Sequence, residues 1–297
     1  MRVSGIDIGT NTILMVIADK NGSEYTVIDD YNSIARLGEG VNKTSLINHD
    51  AILRAKNILL EYKSEIDSYK VDQVRAVATS AMRDALNRNE VAAELSDYLG
   101  TRIEIISGEE EARLSFAGAV ETEDESALID IGGGSTEIIC GKKNRIEYVK
   151  SMNIGVVRLS ERYLNNSHPY LKTDFSEIIT EIQNHFNLYG RNILPPNVFA
   201  CAGTPTTIAA VILGLQTFDY KKIHGFELNY DTVNLILQKF ISVPLDYLVD
   251  VWKIHPKRAD VIACGTLILL EFMKKFHIDS VTVSAKGLRY GVMKSIL

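Results

Sequence analysis

The sequence is short of the features that staple a chain, span a membrane or attract by charge. Its only cysteines are Cys140, Cys201 and Cys264, scattered through apolar or Gly/Ala-rich surroundings with no C-x-x-C pair. That excludes a disulfide framework and a thiolate metal or redox motif, and it fits a reducing compartment. Apolar runs stop short of a bilayer-spanning length, and the N-terminus enters a strand-like run without a basic region and a long apolar core. A cytoplasmic protein with no membrane partner is therefore expected. The net charge of −6 supplies no global basic field, so nucleic acid is not an expected partner. An anionic substrate would need a local basic site. There is no G-x-x-x-x-G-K-[ST] loop, no G-x-G-x-x-G and no H-E-x-x-H, and the six histidines share no ligand spacing. P-loop, dinucleotide-fingerprint and zinc-helix chemistry are set aside on that ground.

What the chain does contain is a repeat. "GIDIGTNTILMVIAD" (Gly5 to Asp19) matches "LIDIGGGSTEIICGK" (Leu128 to Lys142) at a constant offset, with Asp7 on Asp130, Gly9 on Gly132 and Thr12 on Ser135. Each copy reads as strand, D-I-G turn, second strand, which is a hairpin. The three glycines of the second copy have two readings. Glycine's tolerance of positive φ suits a plain hairpin turn. Equally, a turn whose N–H groups must approach a phosphate has no room for side chains. The 297 residues suffice for two ordinary domains. The repeat suggests a duplicated α/β fold whose turns face each other across a cleft.

Strand and helix signals alternate along the remainder. Asn48 can cap a helix running to about Asp67, and "VRAVAT" (Val74 to Thr79) is a strand feeding a helix from Ser80. Glu90 to Leu99 is helical and stops at Gly100, and "RIEIIS" (Arg102 to Ser107) is a strand. "NVFACAG" (Asn197 to Gly203) is a strand followed by a helix through Leu213, and further helices are expected over Thr173 to Tyr189, Tyr230 to Ile241, Pro256 to Phe276 and Gly287 to the end. "SVTVSA" (Ser280 to Ala285) is a strand, and the acidic "ETEDES" (Glu121 to Ser126) is the expected domain boundary.

Five stretches could carry chemistry. Asp7, Asp130 and Glu137 beside the turns are hard oxygen donors suited to Mg²⁺ held partly through water, or else turn-forming carboxylates. Arg83, placed in the first turn of a helix, opposes the helix dipole unless an anion binds there; otherwise it is a solvated arginine paired with Asp84. In "ISGEEEARL", Ser107 and Glu110 read as a capping box, which leaves Glu111 without a local role and available as a general base. "CAGTPTTIAA" reads as a helix start with Thr204 as N-cap and Pro205 following, able to bind an anion or to stand as a plain cap.

Together "DIGTNT", "ATSAMRDA", "SGEEEAR", "DIGGGST", "CAGTPTT", "KRADVIACGTLIL" and "KGLRYG" resemble the exopolyphosphatase / guanosine pentaphosphate phosphohydrolase family. The resemblance implies two ribonuclease-H-like, actin-like ATPase domains with an interdomain cleft, over residues 1–121 and 122–297, the final helix 287–297 being able to pack on the first. It implies a Mg²⁺-dependent hydrolase acting on polyphosphate or guanosine pentaphosphate. Glu111 would be the base, and Arg83 would bind the phosphoryl group. Thr10, Asn11 and Thr12 with Gly132, Gly133, Gly134, Ser135 and Thr136 would hold phosphate, together with Gly203 and Thr204. Asp7, Asp130 and Glu137 would hold the metal. A homodimer is a further expectation. Larger relatives continue into a helical third domain, so short chains are the expected substrate here. A kinase-like phosphotransferase and a non-catalytic polyphosphate or nucleotide sensor are the alternatives.

Overall fold

A computed structural model describes residues 1–22, 24–142, 145–164, 168–187, 190 and 193–296. The chain divides into two compact units, Met1–Ala119 with Gly287–Leu297, and Val120–Lys286.

Unit 1 begins with β1 (Arg2–Ile8), β2 (Thr12–Asn21) and β3 (Glu24–Ile34). It continues through α1 (Val41–Thr44), α2 (His49–Ser68), β4 (Gln73–Ala78), α3 (Ser80–Asp84), α4 (Arg88–Leu99), β5 (Ile103–Ile105) and α5 (Gly108–Ala119). Its sheet has the order β3-β2-β1-β4-β5. The first three strands form an antiparallel meander, and β4 and β5 add in parallel. Asn48 caps α2 by accepting from the Ala51 N–H, and the helix buries Ala51, Ala55, Leu59, Tyr62 and Ile66 at the spacing of one face. Gly100 ends α4 in the left-handed conformation.

Unit 2 begins with β6 (Ser126–Ile131), β7 (Thr136–Lys142), β8 (Arg145–Met152), α6 (Val156–Tyr163) and α7 (Ser176–Asn187). Then come β9 (Asn197–Cys201), α8 (Gly203–Ile212), α9 (Tyr220–Ile223), β10 (Glu227–Asn229), α10 (Tyr230–Ser242) and α11 (Leu245–Asp250). It closes with α12 (Pro256–Ala259), α13 (Ile262–Lys275) and β11 (Ser280–Val283). Its sheet order is β10-β11-β9-β6-β7-β8. Leaving out the added edge strand β10, this is the unit 1 order again: an antiparallel meander with two parallel strands beside its first member. The sequence repeat is thus a repeat of topology.

The last helix, α14 (Leu288–Lys294), belongs to unit 1 and packs against α5 and β1. The approach is backbone to backbone. A Cβ on Gly291 would lie 1.8 Å from the Leu114 carbonyl oxygen, so only glycine fits.

Several expected elements differ. The hairpins are three-stranded meanders, because β3 and β8 were not foreseen. Both are partly exposed edge strands whose apolar alternation lapses after the first few residues. The helix expected from Thr173 starts at Ser176, where Asp174 accepts from the Ser176 N–H. Its expected end at Tyr189 lies outside the described residues. The helix expected from Pro256 to Phe276 breaks after Ala259 and restarts at Ile262.

Candidate active site

The two D-I-G turns are built alike. In each, the first glycine N–H closes the turn onto the carbonyl three residues on: Gly9 to Thr12 and Gly132 to Ser135, both at 2.9 Å. The carbonyls within the turns are then taken from behind. In unit 1, the Gly38 N–H donates to Thr10 O (2.9 Å) and the Arg36 N–H to Asn11 O (3.0 Å). In unit 2, the first turn of α6 lies on the glycines. The Val156 N–H donates to Gly132 O (3.0 Å), the Val157 N–H to Gly133 O (2.9 Å), and Arg158 Nε to Gly134 O (3.0 Å). Gly155 permits this contact, since a Cβ there would lie 2.4 Å from Gly133 O. In a trans peptide the C=O and the following N–H point in opposite directions. Three pinned carbonyls therefore turn the N–H groups of Gly133, Gly134 and Ser135 to the other side. None of the three meets an internal acceptor among the described residues. Successive outward N–H groups make an anion-binding concavity. Thr10, Asn11 and Thr12 occupy the matching place in unit 1, where Thr10 Oγ1 also accepts from the Ala81 N–H at the start of α3.

The carboxylates flank these turns. Asp130 and Glu137 stand directly opposite each other on β6 and β7, and Glu137 is buried with its Oε1 accepting from Ser151 Oγ at 2.7 Å. Like charges directly opposite destabilise a strand pair unless something positive is shared between them. In unit 1 the partner of Asp7 is Leu14, so that copy offers one carboxylate where unit 2 offers two. Asp7 lies within electrostatic reach of the buried Arg289, whose guanidinium binds both oxygens of Asp30 at 2.8 and 2.9 Å. Burial pushes the Arg289 pKa down, but the Asp30 carboxylate more than offsets this and holds it above the usual arginine value. Among the described residues no three His, Cys, Asp or Glu side chains gather into a metal-holding group. Mg²⁺ needs no such cage. It keeps several waters and uses one or two carboxylates plus substrate phosphates, which the opposed Asp130 and Glu137 fit.

Glu111 and Arg83 meet in unit 1. Ser107 caps α5 by accepting from the Glu110 N–H at 3.1 Å. The other half of the expected capping box is absent: the Glu110 carboxylate lies 3.7 Å from Arg75, not on the Ser107 backbone. One residue on, Glu111 points inward and is buried. Arg83 Nη1 donates to its Oε2 at 2.6 Å and to Ile106 O at 3.2 Å. The reading of Arg83 is corrected in two respects. It stands in the last turn of the five-residue α3, where the helix dipole favours a cation, and its partner is Glu111 rather than Asp84.

The start of α8 also differs. The residue before the helix is Ala202, at φ +74° and without a side-chain cap, and Thr204 and Pro205 lie inside the first turn. The sharp exit from β9 uses up the position that Thr204 was expected to fill. Cys201 pairs with Asp130 across β9 and β6, so the Gly203 corner leaves the sheet beside the glycine turn. Sequence reasoning missed Arg258 here. Its guanidinium carbon would lie 3.4 Å from a Cβ on Gly203, and its Nη1 is 3.3 Å from Thr207 Oγ1. No carboxylate pairs with it among the described residues, and burial draws its pKa below the usual arginine value. The break between α12 and α13 places it, and that break left no signal in the apolar pattern.

Two α/β units of one strand order, each opening on an acidic-glycine turn, define the duplicated actin-like ATPase fold. Within it, the chain belongs to the Ppx/GppA phosphatase family, whose sequence profile matches residues 16–297. It is 33% identical to "Exopolyphosphatase 2" of Mycobacterium tuberculosis, over 99% of this chain and 98% of that protein. Among solved structures, the Ppx/GppA family member of Aquifex aeolicus is 31% identical with a TM-score of 0.83, covering 99% of this chain and 97% of that one. An exopolyphosphatase from Cytophaga hutchinsonii is 26% identical with a TM-score of 0.85, covering 98% and 96%. Among the described residues no helix is long and apolar enough to cross a membrane.

Proposed function

We propose that this protein hydrolyses the terminal phosphoanhydride bond of inorganic polyphosphate and releases orthophosphate. The observation that carries the reading is Glu111, a buried carboxylate held by Arg83 at 2.6 Å. A carboxylate fixed in this way suits a general base. Glu111 accepts a proton from water as that water attacks the terminal phosphorus, and Arg83 fixes which carboxylate oxygen faces it. In unit 2 the outward N–H groups of Gly133, Gly134 and Ser135 hold phosphoryl oxygens, on which charge is spread as the bond breaks, and the Thr10–Thr12 turn is the corresponding element of unit 1. Gly203, Thr204 and Arg258 supply a further anion contact. Asp130 and Glu137 would hold Mg²⁺, with Asp7 the corresponding carboxylate of the other copy. When bound, the ion neutralises phosphate charge and orients the chain. The named exopolyphosphatase of M. tuberculosis, alike over nearly the whole chain, supports polyphosphate as the substrate.

Phosphate release measured on polyphosphate and on guanosine pentaphosphate, each with Mg²⁺ and with excess chelator, tests this. Release from polyphosphate that needs Mg²⁺ and no acceptor is expected. Substrate consumption that depends on an acceptor hydroxyl, with the phosphoryl group recovered on that acceptor instead of as orthophosphate, would make the protein a phosphotransferase, and binding without release would make it a sensor.

A further inference from the structure

The sequence motifs leave α6 without a role, yet α6 is what covers the glycine turn. Two of the three turn carbonyls are satisfied by main-chain N–H groups of that helix, which any residue would provide. The third, Gly134 O, is held by a side chain: Arg158 Nε donates to it at 3.0 Å. The Gly134–Ser135 peptide has no other restraint on its carbonyl among the described residues. No Cβ on Gly134 limits the ψ that rotates this peptide, and the two glycine–glycine peptides before it, freer still by themselves, are held by main-chain donors of α6. Rotation by half a turn would replace the outward Ser135 N–H with a carbonyl oxygen, which repels phosphate where the N–H attracts it.

We infer that Arg158 is a positioning residue for the phosphate turn, fixing the Gly134–Ser135 peptide with its N–H outward. It acts through Gly134 and needs no contact with substrate. The inference rests on the reading that this turn holds phosphate during hydrolysis.

Arg158→Met reaches the depth of Nε and removes the donor there, and Arg158→Gln keeps a donor at that depth. With tripolyphosphate as substrate, Arg158→Met is expected to lower kcat between about tenfold and a hundredfold, as misplaced transition-state donors do. Its far-UV spectrum and melting temperature should stay near wild type, because Arg158 is only half buried. Arg158→Gln should recover part of the loss, which a merely space-filling arginine would not allow. Arg158→Asn, polar but too short to reach Gly134, carries the test if the methionine variant does not fold. A donor-less variant within twofold of wild-type kcat overturns the inference. Should the wild-type protein release no phosphate from tripolyphosphate, the proposed hydrolysis fails by itself. Positioning is then decided by the carbonyl ¹³C shift of Gly134 in the free protein. A shift that moves when the donor is removed supports it, and an unchanged shift overturns it.

Discussion

Arg83 and Glu111 form a buried-side ion pair in unit 1, Nη1 to Oε2 at 2.6 Å, between residues 28 positions apart in sequence. The neighbouring Glu110 faces the other way, toward Arg75, with its side chain far more exposed. Two adjacent glutamates therefore have separate surroundings, and the proposed mechanism gives them separate roles. Glu111→Gln should preserve the fold and lower turnover by about 10²–10⁴-fold, the usual loss for a general base. Glu110→Gln should leave turnover near wild type and change stability by less than about 1 kcal/mol, the range of an exposed ion pair. Steady-state kinetics of both variants check this, and the reverse pattern would exchange their roles.

In the proposed mechanism Arg83 acts on the reaction through Glu111. Arg83→Ala should therefore lower kcat more than it raises KM. Adding Arg83→Ala to Glu111→Gln should cost little further, because residues in one network do not add. Full additivity in that double-mutant cycle would mean that Arg83 has its own contact with the phosphoryl group.

Packing in unit 1 depends on backbone contact between α5 and α14. Gly291→Ala drives a methyl into the Leu114 carbonyl, and neither backbone can swing aside as a side chain would. Overpacking costs about 1–3 kcal/mol and occasionally more, and this site belongs at the upper end. A clear fall in melting temperature is expected; an unchanged one would show that the helices separate freely.

Stability should vary with pH through Glu121, where the chain leaves unit 1, and Lys286, where it returns. Lys286 Nζ and His224 Nε2 both reach the Glu121 carboxylate, the latter at 3.2 Å. Burial pushes the Glu121 pKa up, but the bonds from Lys286 and His224 together pull it below the usual carboxylate value. For Lys286, burial pushes down and the bond to Glu121 leaves the pKa raised. A depressed carboxylate stabilises above its unfolded pKa and loses that contribution as pH falls through the folded value. A raised ammonium stabilises below its unfolded pKa and loses that contribution as pH rises through the folded value. The urea midpoints of wild type and Lys286→Met should therefore differ most between about pH 5 and 9 and converge at acid pH. A constant gap down to strongly acid pH would show that the pair is not what titrates.

Local signals made much of the fold legible. The repeat fixed both D-I-G hairpins, and Asn48, Ser107 and Gly100 marked helix ends that the structure keeps. What was not legible was set by tertiary contact. Strands β3 and β8 are partly exposed edges, and their alternation, as in Arg145 to Tyr148, runs for only about four residues before it lapses, too short a signal to mark a strand. Arg83 took its meaning from a partner on another element, and Arg258 from Thr207, 51 positions away. The direction of the turn N–H groups depended on α6, whose short apolar stretch reads as nothing in particular until it lies on the glycines.

The central claim is that water, activated by Glu111, attacks the terminal phosphorus. Hydrolysis of polyphosphate in ¹⁸O-labelled water, followed by mass analysis of the released orthophosphate, tests it most directly. The account requires one labelled oxygen per phosphate released, at a rate that needs no acceptor and that Glu111→Gln lowers together with phosphate release. Orthophosphate free of label, or release that waits on an added hydroxyl acceptor, would contradict it.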